Sequence, residues 1–176
     1  MILQIRQLDE AGFDAWRQGL IALLIDAVAN GASVGFLADI DTRQADAYFD
    51  DVRRALCSGA LAIWIAEEDE KVLGSVQLNL CQKPNGLNRG EVQKLLVLSN
   101  ARRRGIARLL MQQLEAHAGQ LQRGLLYLDT EAGSGAEDLY RALGYTHIGG
   151  LPDYACGPDG QYRANAIYYK SLFRPS

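Results

Sequence analysis

The sequence predicts a mixed α/β domain, and three observations carry that expectation. Apolar stripes at three- and four-residue steps take turns along the chain with short apolar or alternating runs, the periods of helices and strands. The runs at 91–98 and 125–130 flank an amphipathic stretch at 104–119, a β-α-β unit whose strands should be parallel with a right-handed crossover. No repeat, low-complexity tract or Pro/Gly/Ser linker divides the 176 residues, so a single domain over 1–176 is expected.

The elements follow in order. Residues 2–7 open the chain as a short strand, and Phe13, Trp16, Leu20, Leu23 and Ala27 then mark the apolar face of a helix. After a loop at 31–39, a second helix is expected at 42–58 with Ala45, Tyr48, Phe49, Val52 and Leu56 on one side. The run at 61–67 is apolar almost throughout, as in a strand covered on both faces. The next, at 71–80, alternates and places Val72, Gly74, Val76, Leu78 and Leu80 on one face. Pro-Asn-Gly within 83–89 is a turn signal that delivers the chain into the 91–98 strand. Alternation there sends Glu91, Gln93, Leu95 and Val97 to one face. The helix at 104–119 turns Ile106, Leu110 and Leu114 inward, and a strand at 125–130 follows. A short helix at 134–143 carries Ser134 and Glu137 at the spacing of a capping box. Runs at 145–149 and 164–172 read as the last strands.

Charge narrows the function classes. The formal net charge of −3 excludes a generally basic nucleic-acid binder, so no nucleic-acid partner is expected. The charge is unevenly spread: residues 89–108 hold six basic residues to one acid, +5, and the remaining 12 basic and 20 acidic residues give −8. A lone positive segment on an acidic body points to a specific anionic ligand. The apolar stretch at 20–29 is broken by Asp26 and too short to span a bilayer, so no membrane association is expected. The N-terminus lacks a basic region followed by an apolar core, so no secretory leader is expected. Cys57, Cys81 and Cys156 have no CxxC spacing and read as buried or idle thiols of a reducing cytoplasm. His117 and His147 show no metal-ligand pattern, and no metal is expected. Both histidines read as structural or exposed, and Trp16 and Trp64, set in apolar patterns, as core residues.

The positive segment sits where a strand runs through SNARRR into Gly105-Ile106-Ala107 at a helix start. Unpaired N–H groups and the positive dipole end make such a start a phosphate site. Gly105 and Ala107 lack bulk, and Arg102, Arg103, Arg104 and Arg108 add charge. Basic residues at a helix N-terminus oppose the dipole, a mismatch that an anion relieves. No GxxxxGK[ST] occurs, which removes a nucleoside-triphosphate loop, and Gly133-Ser134-Gly135 lacks a third glycine.

Arg102-x-x-Gly105-x-Ala107, following Leu95 and Val97 on a strand, resembles the Gln/Arg-x-x-Gly-x-Gly/Ala signature of the GNAT N-acetyltransferases. The element order over the whole chain resembles theirs too. The stretches GASVGFLAD, CQKPNGLNR, EVQKLLVL, LDTEAGS and IYYK are similar to the tabtoxin-resistance acetyltransferases. The resemblance implies a mixed central sheet with splayed parallel strands and flanking helices, and acetyl-CoA as donor. The CoA pyrophosphate would rest on the amides of Arg102, Arg103, Arg104, Gly105, Ile106, Ala107 and Arg108. Pantetheine would lie along 94–98, on Leu96, Val97 and Leu98, like a peptide added to a strand edge. The N–H of Val97 or its neighbour would polarise the thioester carbonyl.

Acetylating an amine needs a base, because an alkylamine of pKa about 10 is mostly protonated at neutral pH. Glu91 is the one acid on its strand, and the resemblance favours it for that role. Asp129 closes the neighbouring strand, where open α/β sheets place ligands, and would orient the amine or share in proton removal. Tyr140 falls where many members of the family carry a tyrosine near the CoA sulfur, and a phenol can protonate a departing thiolate. No cysteine lies where the donor carbonyl is expected, which favours direct attack over an acetyl-enzyme. The acceptor implied is a small primary amine, such as tabtoxinine-β-lactam or a similar amino-acid-like toxin. A protein lysine, a polyamine and an aminoglycoside stay open, as does a non-catalytic acyl-CoA-binding regulator. Specificity is expected in the loops 31–39, 83–89 and 154–163, and the chain as a monomer or homodimer.

Overall fold

A computed structural model describes residues 2–174. The chain runs β1 (Gln4–Gln7), α1 (Glu10–Ala29), α2 (Thr42–Cys57), β2 (Leu61–Glu68), β3 (Lys71–Leu80), β4 (Arg89–Val97), α3 (Ile106–Gln120), β5 (Leu125–Glu131), α4 (Ala136–Ala142), β6 (Thr146–Gly149), β7 (Ala155–Cys156), β8 (Tyr162–Arg163) and β9 (Asn165–Ser171). Seven strands form one sheet in the order β1-β2-β3-β4-β5-β9-β6, and β7 and β8 form a separate hairpin. Only β4 and β5 pair in parallel in the large sheet, as the β-α-β reading requires.

Burial on both faces explains why β2 is apolar almost throughout, and β3, which alternates in sequence, is covered on both faces as well. Ile63, Ile65 and Val72 pack with Phe13, Leu20, Leu24 and Phe49 of α1 and α2. Trp64, Val76 and Leu78 pack with Ile106, Leu110 and Leu114 of α3 on the opposite face. Gly74 lets α3 approach, because a Cβ there would stand 2.8 Å from the Leu96 carbonyl oxygen and 3.0 Å from Ile106. Val72 departs from the face expected for it, because the β2–β3 register shifts between Ala66 and Glu67.

Helix starts show two kinds of capping. The Asp41 carboxylate accepts the Gln44 N–H at 2.7 Å while the Asp41 N–H donates to the Gln44 side chain at 3.0 Å, a reciprocal box. The box expected at Ser134 and Glu137 does not form, and α4 is capped by Gly135 with no side-chain bond. Glu137 has stronger partners: its carboxylate accepts the Tyr168 hydroxyl at 2.5 Å and the Gly133 N–H at 2.6 Å. Tertiary contacts here override a local motif.

Two departures lie beside the site. In the β3–β4 pair, Gln77 faces Gln93 and Ser75 faces Leu96, so Lys94 and Leu95 together oppose Val76. This is a bulge, and Lys94 adopts φ 50°. The expected alternation breaks there. Leu95 and Val97 pack in the α3 core, Leu96 in the α1/α2 core, and Gln93 aligns with Gln77, which bonds Tyr48 of α2. The hairpin β7–β8, inside the loop expected at 154–163, is the second departure.

Candidate active site

β4 and β5 stay paired only through Arg89–Leu125, Gly90–Leu126 and Glu91–Tyr127. Beyond Glu91 each strand keeps its other neighbour: β4 continues against β3 to Val97, and β5 against β9 to Glu131. The sheet therefore opens into a V, and a cleft of about 320 Å³ occupies it. Glu91, Asp129 and Tyr140 all line this cleft, together with 33–35 from the loop after α1 and Tyr154, Ala155 and Arg163 from the β7–β8 hairpin. None of 83–89, a specificity loop by expectation, lines it.

Glu91 is half-buried, and burial pushes its carboxyl above the usual value. The nearby Asp129 charge adds to the rise, while a bond from Gln93 opposes it. Asp129 is held by the Asn165 Nδ2 at 3.3 Å, and the Asn165 side-chain Oδ1 in turn accepts the Leu151 N–H at 2.7 Å. Tyr140 is 6% exposed. Its ring lies 5.8 Å from that of Tyr145 and 6.1 Å from that of Tyr168, so it fills the core and lines the cleft at once. Burial, reinforced by Asp129, raises its phenol well beyond the ordinary value.

Leu98 donates its N–H to Leu73 of β3 at 2.8 Å. Alternation therefore turns the Val97 N–H to the other side, where pairing with β5 has ended. One turn of 3-10 helix, Ser99–Ala101, then leads to Arg102 and Gly105. Gly105 takes φ 78° as the N-cap of α3, with nothing within 4 Å of where a Cβ would stand. Ile106 is buried in the α3 core, which leaves only its backbone to face a ligand.

The positive segment does not act as one patch. Arg104 pairs with Glu68 at 2.8 Å, and Lys94 is inside the cleft. Among the described residues Arg102, Arg103 and Arg108 form no ion pair and stay exposed around the α3 start. Asn165 is a cleft residue that sequence reasoning left without a role, while Lys94 entered it only as part of the pantetheine edge 94–98 and Arg163 only as part of the specificity loop 154–163. The hairpin that carries Arg163 has a signal, Gly157-Pro158-Asp159-Gly160, between two short runs. Trp64 is buried and stacks edge-on with His117 at 5.3 Å, and His147 is exposed against Tyr168. All three cysteines are free thiols outside the cleft. Among the described residues no group of three or more His, Cys, Asp or Glu side chains is arranged to hold a metal, and no helix is long and apolar enough to cross a membrane.

Residues 26–145 match the family model described as acetyltransferase (GNAT) family. Solved structures align over nearly the whole chain. An N-acetyltransferase from Staphylococcus aureus Mu50 superposes with TM-score 0.79 at 22% identity, over 98% of this chain and 100% of that one. A ribosomal-protein-alanine N-acetyltransferase from Brucella melitensis gives TM-score 0.76 at 26% identity, over 96% and 99%. The protein yncA of Salmonella typhimurium, solved with its cofactor acetyl-CoA, gives TM-score 0.79 at 17% identity, over 100% and 97%.

Proposed function

The chain belongs to the acetyltransferase (GNAT) family, and on that premise we propose that it moves the acetyl group of acetyl-CoA onto a primary amine of a small molecule. The observation that carries this reading is the V between β4 and β5, with Glu91, Asp129 and Tyr140 lining one cleft inside it. A cleft of about 320 Å³ suits a small acceptor, near the lower end of the ~300–1,000 Å³ common for ligand sites.

The donor side of the chain fits CoA. The open space at Gly105, the free amides that begin a 15-residue helix and the unpaired Arg102, Arg103 and Arg108 make a phosphate cradle. Acetyl-CoA supplies an acetyl thioester to this site. The Val97 N–H faces the unpaired side of β4, where it stabilises negative charge growing on a carbonyl oxygen. Glu91 takes a proton from the acceptor ammonium, for which its raised pKa suits it. Asp129 attracts the same ammonium and is kept in place by Asn165. Tyr140 keeps its Oη proton at neutral pH and delivers it to the leaving sulfur.

A binding-only regulator would need the Gly105 turn but not two carboxylates and a phenol in one cleft. The finer assignment to a tabtoxinine-β-lactam-like toxin rests on the sequence stretches quoted for it. A ribosomal-protein alanine is the other acceptor to compare, given the similarity to the ribosomal-protein-alanine N-acetyltransferase of Brucella melitensis.

Titration calorimetry with acetyl-CoA, followed by a free-thiol assay against a panel of amines, tests the proposal. Saturable binding and amine-dependent CoA release are expected. Absence of binding overturns the donor assignment, and binding without release for any amine returns the regulator.

A further inference from the structure

Lys94 takes no part in the chemistry assigned above, and its setting is unusual for a lysine. It occupies the β4 bulge at φ 50°, a backbone region that residues with a Cβ seldom adopt. Its side chain lines the cleft, and its Nζ lies 5.6 Å from the centre of the Tyr48 ring. That ring is itself fixed: the Tyr48 hydroxyl and the buried Gln77 amide bond at 3.2–3.3 Å, and Phe36 meets the ring edge-on at 5.3 Å. The ammonium thus lies over a ring that is itself fixed.

It is also without a counter-ion. Two cations line the cleft, and one of them, Arg163, is neutralised by Asp159 at 2.5 Å and Glu131 at 3.5 Å. Lys94 forms no ion pair within 4 Å among the described residues, although the fields of Glu91 and Asp129 reach it. A largely desolvated ammonium whose close partner is a ring face gains most from an anion brought by a ligand. The cleft therefore has two poles, with carboxylates at Glu91 and Asp129 and a positive charge at Lys94.

We infer that Lys94 is an anion subsite for the acceptor, so that the preferred substrates are small amines that also carry a carboxylate. The acceptor ammonium turns to Glu91 and Asp129, and its carboxylate bonds the Lys94 Nζ. This rests on the acetyltransfer reading above and makes Lys94 a determinant of specificity.

The test compares amino acids of several chain lengths with their carboxamides and decarboxylated amines, each as acceptor in the free-thiol assay. For at least one amino acid, kcat/KM is expected to exceed that of both neutral analogues by about tenfold or more. Lys94→Gln should bring the ratio close to one, and Lys94→Arg, which keeps the charge, should restore part of it. A wild-type enzyme that turns over amines with no preference for any carboxylate-bearing acceptor overturns the subsite, whether or not the variants fold. So does a Lys94→Gln enzyme that keeps the ratio, or that loses activity equally on all acceptors while its pH profile shifts, since Lys94 would then serve Glu91. Absence of CoA release with every amine is a different result and removes the acetyltransfer reading itself.

Discussion

Glu91 and Tyr140 are paired opposites: burial raises both pKa values, and this would help each in the role proposed for it. For Glu91, burial first and Asp129 second favour the protonated carboxyl. A base must be ionised to work, so kcat/KM should fall as pH drops through this raised value. The acid limb should therefore lie above the ~4.3 of an ordinary glutamate. Glu91→Gln should lower kcat by about 10²–10⁴ and erase that limb, with KM for acetyl-CoA nearly unchanged. For Tyr140 the same physics keeps the phenol protonated across the physiological range, so it should contribute no alkaline limb below pH ~10. Tyr140→Phe should cost kcat by a comparable factor and leave donor binding alone. Steady-state pH profiles of the two variants check both statements, and wild-type turnover in either would remove its role.

At the scale of elements, α4 places Tyr140, and Glu137 places α4. Only seven residues long, that helix has no side-chain cap, so its position depends on the buried Glu137 carboxylate, which Tyr168, Gly133 and Arg141 share. Glu137→Ala would leave the buried Tyr168 hydroxyl unpaired and should destabilise the fold by about 2–4 kcal/mol in chemical denaturation. The Tyr168 bond, then the Gly133 amide, hold the Glu137 pKa below its usual value. Its contribution is thus present above pH ~4.3 and lost as pH falls through the lowered folded value. Glu137→Ala should flatten that part of the stability curve, and an unaltered acid transition would refute the role. The same neighbourhood marks what periodicity reveals. The strands β2–β5 and β9, the four helices and the parallel pair are legible because each buries a face with a fixed repeat, whereas the two-residue strands β7 and β8 have no repeat to read. The bulge at Lys94 is not, because one inserted residue flips every later side chain and leaves no trace in composition. Ser134 and Glu137 mislead for a related reason: a capping spacing is local, whereas Tyr168, which claims the carboxylate, is 31 residues away. Asp129 could be singled out because it closes a strand, and Glu91 and Tyr140 because of what the family resemblance implies at their positions, but Lys94 could not, since its isolation from counter-ions exists only in the fold.

At the scale of the molecule, two helical layers sit on opposite faces of the sheet, and the donor turn belongs to both. Asp26 lies on α1, in one layer, and it interrupts an otherwise apolar stretch. The break has a structural purpose. Asp26 accepts the Ser99 N–H and the Ser99 hydroxyl, each at 2.8 Å, at the point where β4 turns toward Gly105 and α3 in the other layer. A carboxylate on one face thus ties down the segment that carries the proposed phosphate cradle on the far side. Charge-assisted bonds of this kind contribute about 1.5–3 kcal/mol each. If part of that energy orders the turn for the donor, Asp26→Ala should weaken acetyl-CoA binding by about tenfold as well as lower the thermal midpoint. Ser99→Ala, which keeps the N–H bond, should do less on both counts. In a double-mutant cycle the two losses should not add, because both variants remove the bond between the Ser99 hydroxyl and Asp26. Calorimetry with acetyl-CoA and thermal denaturation of the three variants separate the cases. A lowered midpoint with unchanged donor affinity would mean that Asp26 only holds the layers together, and that the cradle at Gly105 is rigid without it.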